Sequence, residues 1–176
     1  MAVLEILLEG DERLRQKALR VRNVDASLRQ LADEMFETMM DAPGIGLAAP
    51  QIGVLRRLIW VNVPENYHDS EEPEFCLAIV NPEIVKAHGR AFAYEGCLSI
   101  PGWTGEVPRA ERITVKGLGL DNKPLRVKTY GWAARVIQHE IDHLDGILFL
   151  DRVEDKSTIV QVPEDEEDEM SGEAAD

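Results

Sequence analysis

Cysteine is scarce in this chain of 176 residues: there are two, Cys76 and Cys97. Two cysteines make no disulfide framework, so the apolar core has to hold the fold. Cys76 lies in the run Phe75-Cys76-Leu77-Ala78-Ile79-Val80 and reads as a small buried hydrophobe. Long hydrophobic runs are also missing. No stretch approaches the ~20 apolar residues a bilayer-crossing helix needs, and the start has no basic region followed by a long apolar one. The expected compartment is therefore the cytoplasm, where the Cys97 thiol stays reduced. Positive charge is absent from residues 157–176, which hold eight acids and no Lys or Arg. Once those eight are taken from the formal net charge of -14, residues 1–156 carry -6. That balance argues against a large phosphate-binding surface and against DNA as a partner, without excluding a local basic patch. Membranes are not expected partners either.

The remaining composition, 44% hydrophobic and 30% charged, is that of one soluble globular domain. The expected division is a domain over 1–156 and an acidic tail over 157–176. Residues 11–22 are mixed in charge and read as surface. Asp25 reads as the N-cap of a helix running to about Met40, with Leu28, Leu31, Met35 and Met39 on one stripe. Leu58–Val63 reads as a strand, followed by a polar loop from Pro64 to Pro73 and a strand over Cys76–Val80. A further extended stretch runs from about Glu83 to Tyr94. Arg112–Lys116 and Leu125–Thr129 alternate at period two, and Asp121-Asn122-Lys123 between them predicts a hairpin. Many strands with an early and a late helix predict an α+β fold, in which antiparallel or mixed sheets pack around the late helix. Ser157–Val162 has the β-branched residues of a short strand, and residues 158–162 are expected to dock on the body or on a neighbouring chain. From Pro163 to Asp176 there is too little apolar surface to offset ordering, and that segment is expected to be mobile.

The late helix carries Gln138-His139-Glu140-Ile141-Asp142-His143. Two histidines four apart put both imidazoles on one helix face, where they can bind a single metal ion. Glu140 between them can reach a water on that ion as general base. Val136, Ile137, Ile141 and Leu144 surround the string, so the helix is read as buried, not as a surface helix with chance histidines. A third ligand is needed. The position six residues after His143, where one protease class has a histidine, is Phe149. Glu154 and the tail are charged and expected to be mobile. Cys97, preceded by Gly96, is the preferred choice: one cysteine and two histidines leave a tetrahedral position open, as catalytic sites do. Earlier in the chain, Gly44-Ile45-Gly46-Leu47-Ala48-Ala49-Pro50-Gln51 pairs two glycines with small residues, which permits close backbone approach. No Lys-Ser/Thr follows and no third glycine completes a phosphate loop.

Taken in order, Gly44 to Gln51, Glu95-Gly96-Cys97-Leu98-Ser99 and His139-Glu140-Ile141-Asp142-His143 strongly resemble the three signature motifs of the peptide deformylases. The likeness covers roughly residues 5–153, including Asp11-Glu12-Arg13-Leu14. The resemblance implies a hydrolase that removes the formyl group from the N-terminal formyl-methionine of new polypeptides and releases formate. It implies Cys97, His139 and His143 as metal ligands, Glu140 as acid/base, and Gln51 with the Leu98 N–H as the oxyanion-binding pair. The metal it implies is Fe²⁺, one per chain, which Zn²⁺, Ni²⁺ or Co²⁺ can replace. It also implies N-formyl-methionyl peptides as substrate and transient contact with the ribosome. Gly44 and Gly46 would let an extended peptide lie alongside their loop as an added strand. Ile45, Val136 and Trp132 would line the methionine pocket, though core packing explains them equally well. A buried Glu95–Arg109 pair would hold the cysteine loop.

Two departures limit the likeness. Gly102-Trp103-Thr104-Gly105 lacks the basic residue some members place there, and after Arg152-Val153 the chain turns acidic where many members continue into a basic, ribosome-associated helix. Two alternatives remain: a zinc peptidase, because H-E-x-x-H serves both chemistries, and a non-catalytic domain with a structural metal.

Overall fold

The computed structural model describes residues 2–163. The first helix, α1, spans Ala26–Asp41, and the Asp25 carboxylate caps it by accepting the Leu28 N–H at 2.9 Å. Leu28, Ala32, Met35 and Met39 form its buried stripe, while Leu31 is half-buried. Five strands follow: β1 (Gly46–Ala48), β2 (Leu58–Val63), β3 (Phe75–His88), β4 (Ala91–Cys97) and β5 (Ile100–Arg109). Next come β6 (Arg112–Leu118), β7 (Pro124–Tyr130) and the second helix, α2 (Gly131–Leu144). A short helix, α3 (Phe149–Arg152), and β8 (Val160–Gln161) complete the described chain.

The strands form two sheets, ordered β1-β2-β3-β6-β7 and β4-β5-β8, and every named strand pair is antiparallel. The two helices take opposite faces of the larger sheet. Ile59, Val61 and Val63 of β2, Ile79 of β3, and Ile113 and Val115 of β6 pack with Val136, Ile137, Ile141 and Leu144 of α2. Leu58 of β2 and Val80 of β3 face α1 instead, a consequence of the strand's alternation of sides. Each fully buried aliphatic side chain in these two layers contributes roughly 1.5–3 kcal/mol.

The start of α2 is fixed from outside. Gly131 takes φ +61°, which turns the chain from β7 into the helix, and the Trp132 N–H donates to Glu72 Oε2 at 2.8 Å. The polar loop before β3 thus supplies an acceptor and a negative charge to the N-terminus of the motif helix. The β6–β7 hairpin is as the alternation predicts, with Asn122 at φ +62° in its turn.

Other expectations need correction. Residues 11–22 are not all surface: Leu14, Ala18 and Val21 are buried. Cys76 is exposed, because its strand position points to the α1 side of β3 beyond that helix's reach. The extended stretch over 83–94 is two strands in different sheets, broken at Gly89 (φ +75°). β5 was not expected from its prolines and glycines. Val160 and Gln161 pair with Thr104 and Trp103, so this part of the expected C-terminal strand does dock on the body. The mobility expected of the acidic tail concerns residues that lie, from 164 on, outside the described ones. Among the described residues no helix is long and apolar enough to cross a membrane.

Candidate metal centre

Three chain segments more than forty residues apart meet at one point. The α2 face that carries His139 and His143 lies opposite the end of β4, and the ligand atoms of Cys97, His139 and His143 all fall within 4.8 Å of one another. Cys97 Sγ is 3.3 Å from His143 Nε2. One thiolate and two imidazoles suit Fe²⁺, Co²⁺, Ni²⁺ or Zn²⁺ better than Mg²⁺ or Ca²⁺.

The orientation of His139 is set by a buried charge network. Its Nδ1 lies 2.8 Å from Glu95 Oε1, which leaves Nε2 for the cluster. Arg109 holds Glu95 with two parallel bonds, Nε to Oε2 at 3.0 Å and a terminal N–H to Oε1 at 2.9 Å. The remaining arm of Arg109 reaches Asp142 at 2.6 Å, Arg135 donates to Glu95 at 2.7 Å, and Arg152 donates twice to Asp142. Burial alone would raise the Glu95 carboxyl; the His139 and Arg109 hydrogen bonds outweigh it and hold the pKa well below the usual range. The expected Glu95–Arg109 pair is therefore present. It belongs to a larger set, with Arg135, Asp142 and Arg152, that reasoning from the sequence missed. Arg135 sits one turn before His139 on the same helix, which was the available signal.

Glu140 projects toward the first segment. Burial is the chief cause that pushes its carboxyl up to about 7, with the charge on His139 opposing. Glu140 Oε2 and His143 Nδ1 are buried and have no hydrogen-bond partner among the described residues. A carboxylate oxygen left this way is expensive unless something else occupies the space before it. That vacancy of partners fits an ion and a water better than a closed structural site.

The Gly44–Gln51 segment packs directly on both others. A Cβ at Gly44 would lie 2.7 Å from Leu98 Cδ1, and one at Gly46 would lie 2.5 Å from Glu140 Oε1 and 2.8 Å from Val136 Cγ1. A side chain at Gly46 would have to displace Glu140 and the buried Val136, whereas at Gly44 it would have to move only the tip of Leu98. Gly46→Ala is expected to displace the Glu140 carboxylate and to lower kcat/KM at least about tenfold with metal content unchanged. Kinetics within twofold of wild type would show that the contact constrains nothing. Gln51 is almost fully buried; its Oε1 accepts the Ala48 N–H at 2.9 Å, which aims its Nε2 at Ser99 Oγ (3.1 Å) and Cys97 Sγ (3.6 Å). Ser99, fully buried, stood in the second sequence motif with no role assigned to it. Ile45 and Trp132 are half-buried and Val136 is buried, all three in the core cluster that α2 forms with the larger sheet.

The polypeptide deformylase family model matches residues 3–158. The peptide deformylase of Thermomicrobium roseum is 58% identical over 168 residues, which cover 96% of each chain. The crystal structure of a peptide deformylase from Legionella pneumophila superposes with a TM-score of 0.79 at 47% identity and covers 88% of each chain. A peptide deformylase from Acinetobacter baumannii, solved with Met-Ala-Ser bound, superposes at 0.82 with 38% identity, over 86% of this chain and 99% of that one. The chain therefore belongs to the polypeptide deformylase family.

Proposed function

We propose that the chain is a metal-dependent hydrolase that removes the formyl group from the N-terminal formyl-methionine of nascent polypeptides and releases formate. The observation that carries the reading is the convergence of Cys97, His139 and His143, with Glu140 and Gln51 packed against them. Cys97, His139 and His143 would hold a divalent ion, which when bound would supply Lewis-acid polarisation of the formyl oxygen and a lowered pKa for water.

The chain's own residues do the rest. Glu140 Oε2, the buried oxygen without a partner, takes the proton from the attacking water and passes it to the leaving amine. Burial, which pushes this carboxyl above the ordinary glutamate range, favours its holding the proton between the two transfers. The Gln51 Nε2–H that rests against Cys97, together with the Leu98 N–H, binds the negative charge that develops on the formyl oxygen. Gly44 and Gly46 offer backbone to an extended peptide, and Ile45, Val136 and Trp132 line the methionine pocket. Residues 1–156 form the catalytic domain, it works in the cytoplasm, and its nascent substrates bring it into transient contact with the ribosome.

Turnover of formyl-Met-Ala with formate release tests this directly. Cleavage of internal peptide bonds with no deformylation would favour the peptidase alternative. We further propose Fe²⁺ as the working metal. A thiolate beside a redox-active ion with an open position is exposed to oxidation. Activity prepared without oxygen should therefore decay in air, and Zn²⁺ exchange should give a stable, slower enzyme. Equal activity before and after air exposure, with zinc bound in both preparations, would remove the case for iron.

A further inference from the structure

The helices leave part of the larger sheet bare. α2 covers one face; on the other, α1 covers β1, β2 and the ends of β3 and β6 through Leu58, Val80 and Leu118. On the rest of that side of β6 and β7, Arg112 and Lys116 on β6 and Arg126, Lys128 and Tyr130 on β7 are exposed, while the shorter Thr114 among them is buried. Register stacks them in rows: Arg112 opposite Tyr130, Thr114 opposite Lys128, Lys116 opposite Arg126. β3 extends the rows with His88 beside Arg112 and Lys86 beside Thr114. Each row step is ~4.8 Å and each like-facing step along a strand ~7 Å, so five cations share one face of the sheet.

The composition of that surface runs against the chain. The whole sequence has 33 acids to 19 Lys and Arg, yet β6 and β7 carry four cations and no Asp or Glu. One acid lies within the rows: Glu83 stands beside Lys116 and pairs with it at 3.5 Å, while Glu111 precedes β6, Asp121 lies in the turn and Glu72 sits at the Tyr130 end. Among the described residues, Lys86, Arg112, Arg126 and Lys128 have no ion-pair partner, although carboxylates are abundant elsewhere. The only exposed large apolar side chain on β6 and β7 is Tyr130. A lipid surface would be met by cations interleaved with several apolar side chains, and that pattern is missing. An aromatic ring at the end of a cationic row suits a polynucleotide, whose phosphates meet the cations and whose bases can stack.

We propose that the open face of β6 and β7, extended by Lys86 and His88, docks the phosphate backbone of RNA. The choice of RNA rests on the proposed action on nascent chains, which places the enzyme beside a ribonucleoprotein particle. None of these residues touches the metal cluster, so docking holds the enzyme near its substrate without blocking the site.

The test is fluorescence anisotropy of the full chain with a labelled RNA hairpin, across a salt series. Binding on the order of 10⁻⁵ M is expected at low salt, with log K falling against log[salt] at a slope of about -3 to -4 for four or five phosphate contacts. Lys116→Glu, Arg126→Glu and Lys128→Glu together should weaken binding at least tenfold. The milder pair Arg126→Gln and Lys128→Gln, which guards against misfolding of the triple variant, should reduce the slope by about 2. Formyl-Met-Ala turnover should stay within twofold of wild type in both. RNA binding unchanged in both variants would overturn the proposal, as would equal affinity for phosphatidylserine vesicles or polyglutamate. Failure of wild-type formyl-Met-Ala turnover would instead count against the proposed activity, whatever the RNA result.

Discussion

Glu140→Ala should keep its metal and lose turnover. Cys97, His139 and His143 are untouched by the substitution, so metal content should match wild type. What disappears is the group proposed to move the proton, a role typically worth ~10²–10⁴-fold in rate. Its position explains why no neighbour can replace it. The carboxylate is buried against Gly46 and Val136, and its free oxygen is the only acidic atom among the described residues left without a partner at the cluster. Steady-state kinetics with formyl-Met-Ala and metal analysis of the same preparation provide the check. A variant that keeps more than about a tenth of wild-type kcat would show that Glu140 is not the acid/base.

Glu95→Ala should be the most destabilising single change near the site. Glu95 joins two arginines and His139, and Arg109 and Arg135 have side chains only 4% and 7% exposed. Removing the carboxylate leaves cationic groups buried without their counter-charge, a change that costs about 3–5 kcal/mol. Asp142 still pairs with Arg109, and backbone carbonyls of Ala91 and Val107 still accept from Arg135, which argues for the lower end of that range. In a domain of this size the loss corresponds to a Tm drop of roughly 10 °C. Metal affinity should fall about 10–100-fold as well, because His139 loses the partner that orients it. Urea unfolding of metal-free protein separates the two effects. A loss below about 1 kcal/mol there would mean that the network can relax around the gap.

The residues of the candidate site were legible because each belongs to a local string of fixed spacing. The i, i+4 histidines, the glycine before Cys97 and the glycine pair before Gln51 are all visible within eight positions. α1 was legible for a similar reason: its cap and its apolar stripe are both local. What surrounds the site was not. Arg135, Asp142 and Arg152 read as ordinary charged helix residues until the fold brings Arg135 onto Glu95, Asp142 onto Arg109 and Arg152 onto Asp142. β5 failed because Pro101, Gly102, Gly105 and Pro108 oppose strand propensity, and only its pairing with β4 and β8 overrides them. Cys76 failed because an apolar run says that a strand is buried on average, not which face a helix stops short of covering. The basic face of β6 and β7 was hidden by net charge, a sum that erases location.

The meeting of Gly44–Gln51, Cys97 and His139–His143 also bears on how the enzyme comes into being. Its contacts are long in sequence, and closing loops of more than forty residues carries an entropic penalty that no single segment can repay alone. Such non-local assembly is associated with slow folding. As the chain is synthesised, Cys97 appears well before the histidines, so the three donors coexist only once α2 has been made and packed. The enzyme's maturation is therefore all-or-none: a chain halted before residue 143 has no partial catalyst, and one metal ion can report that folding is complete.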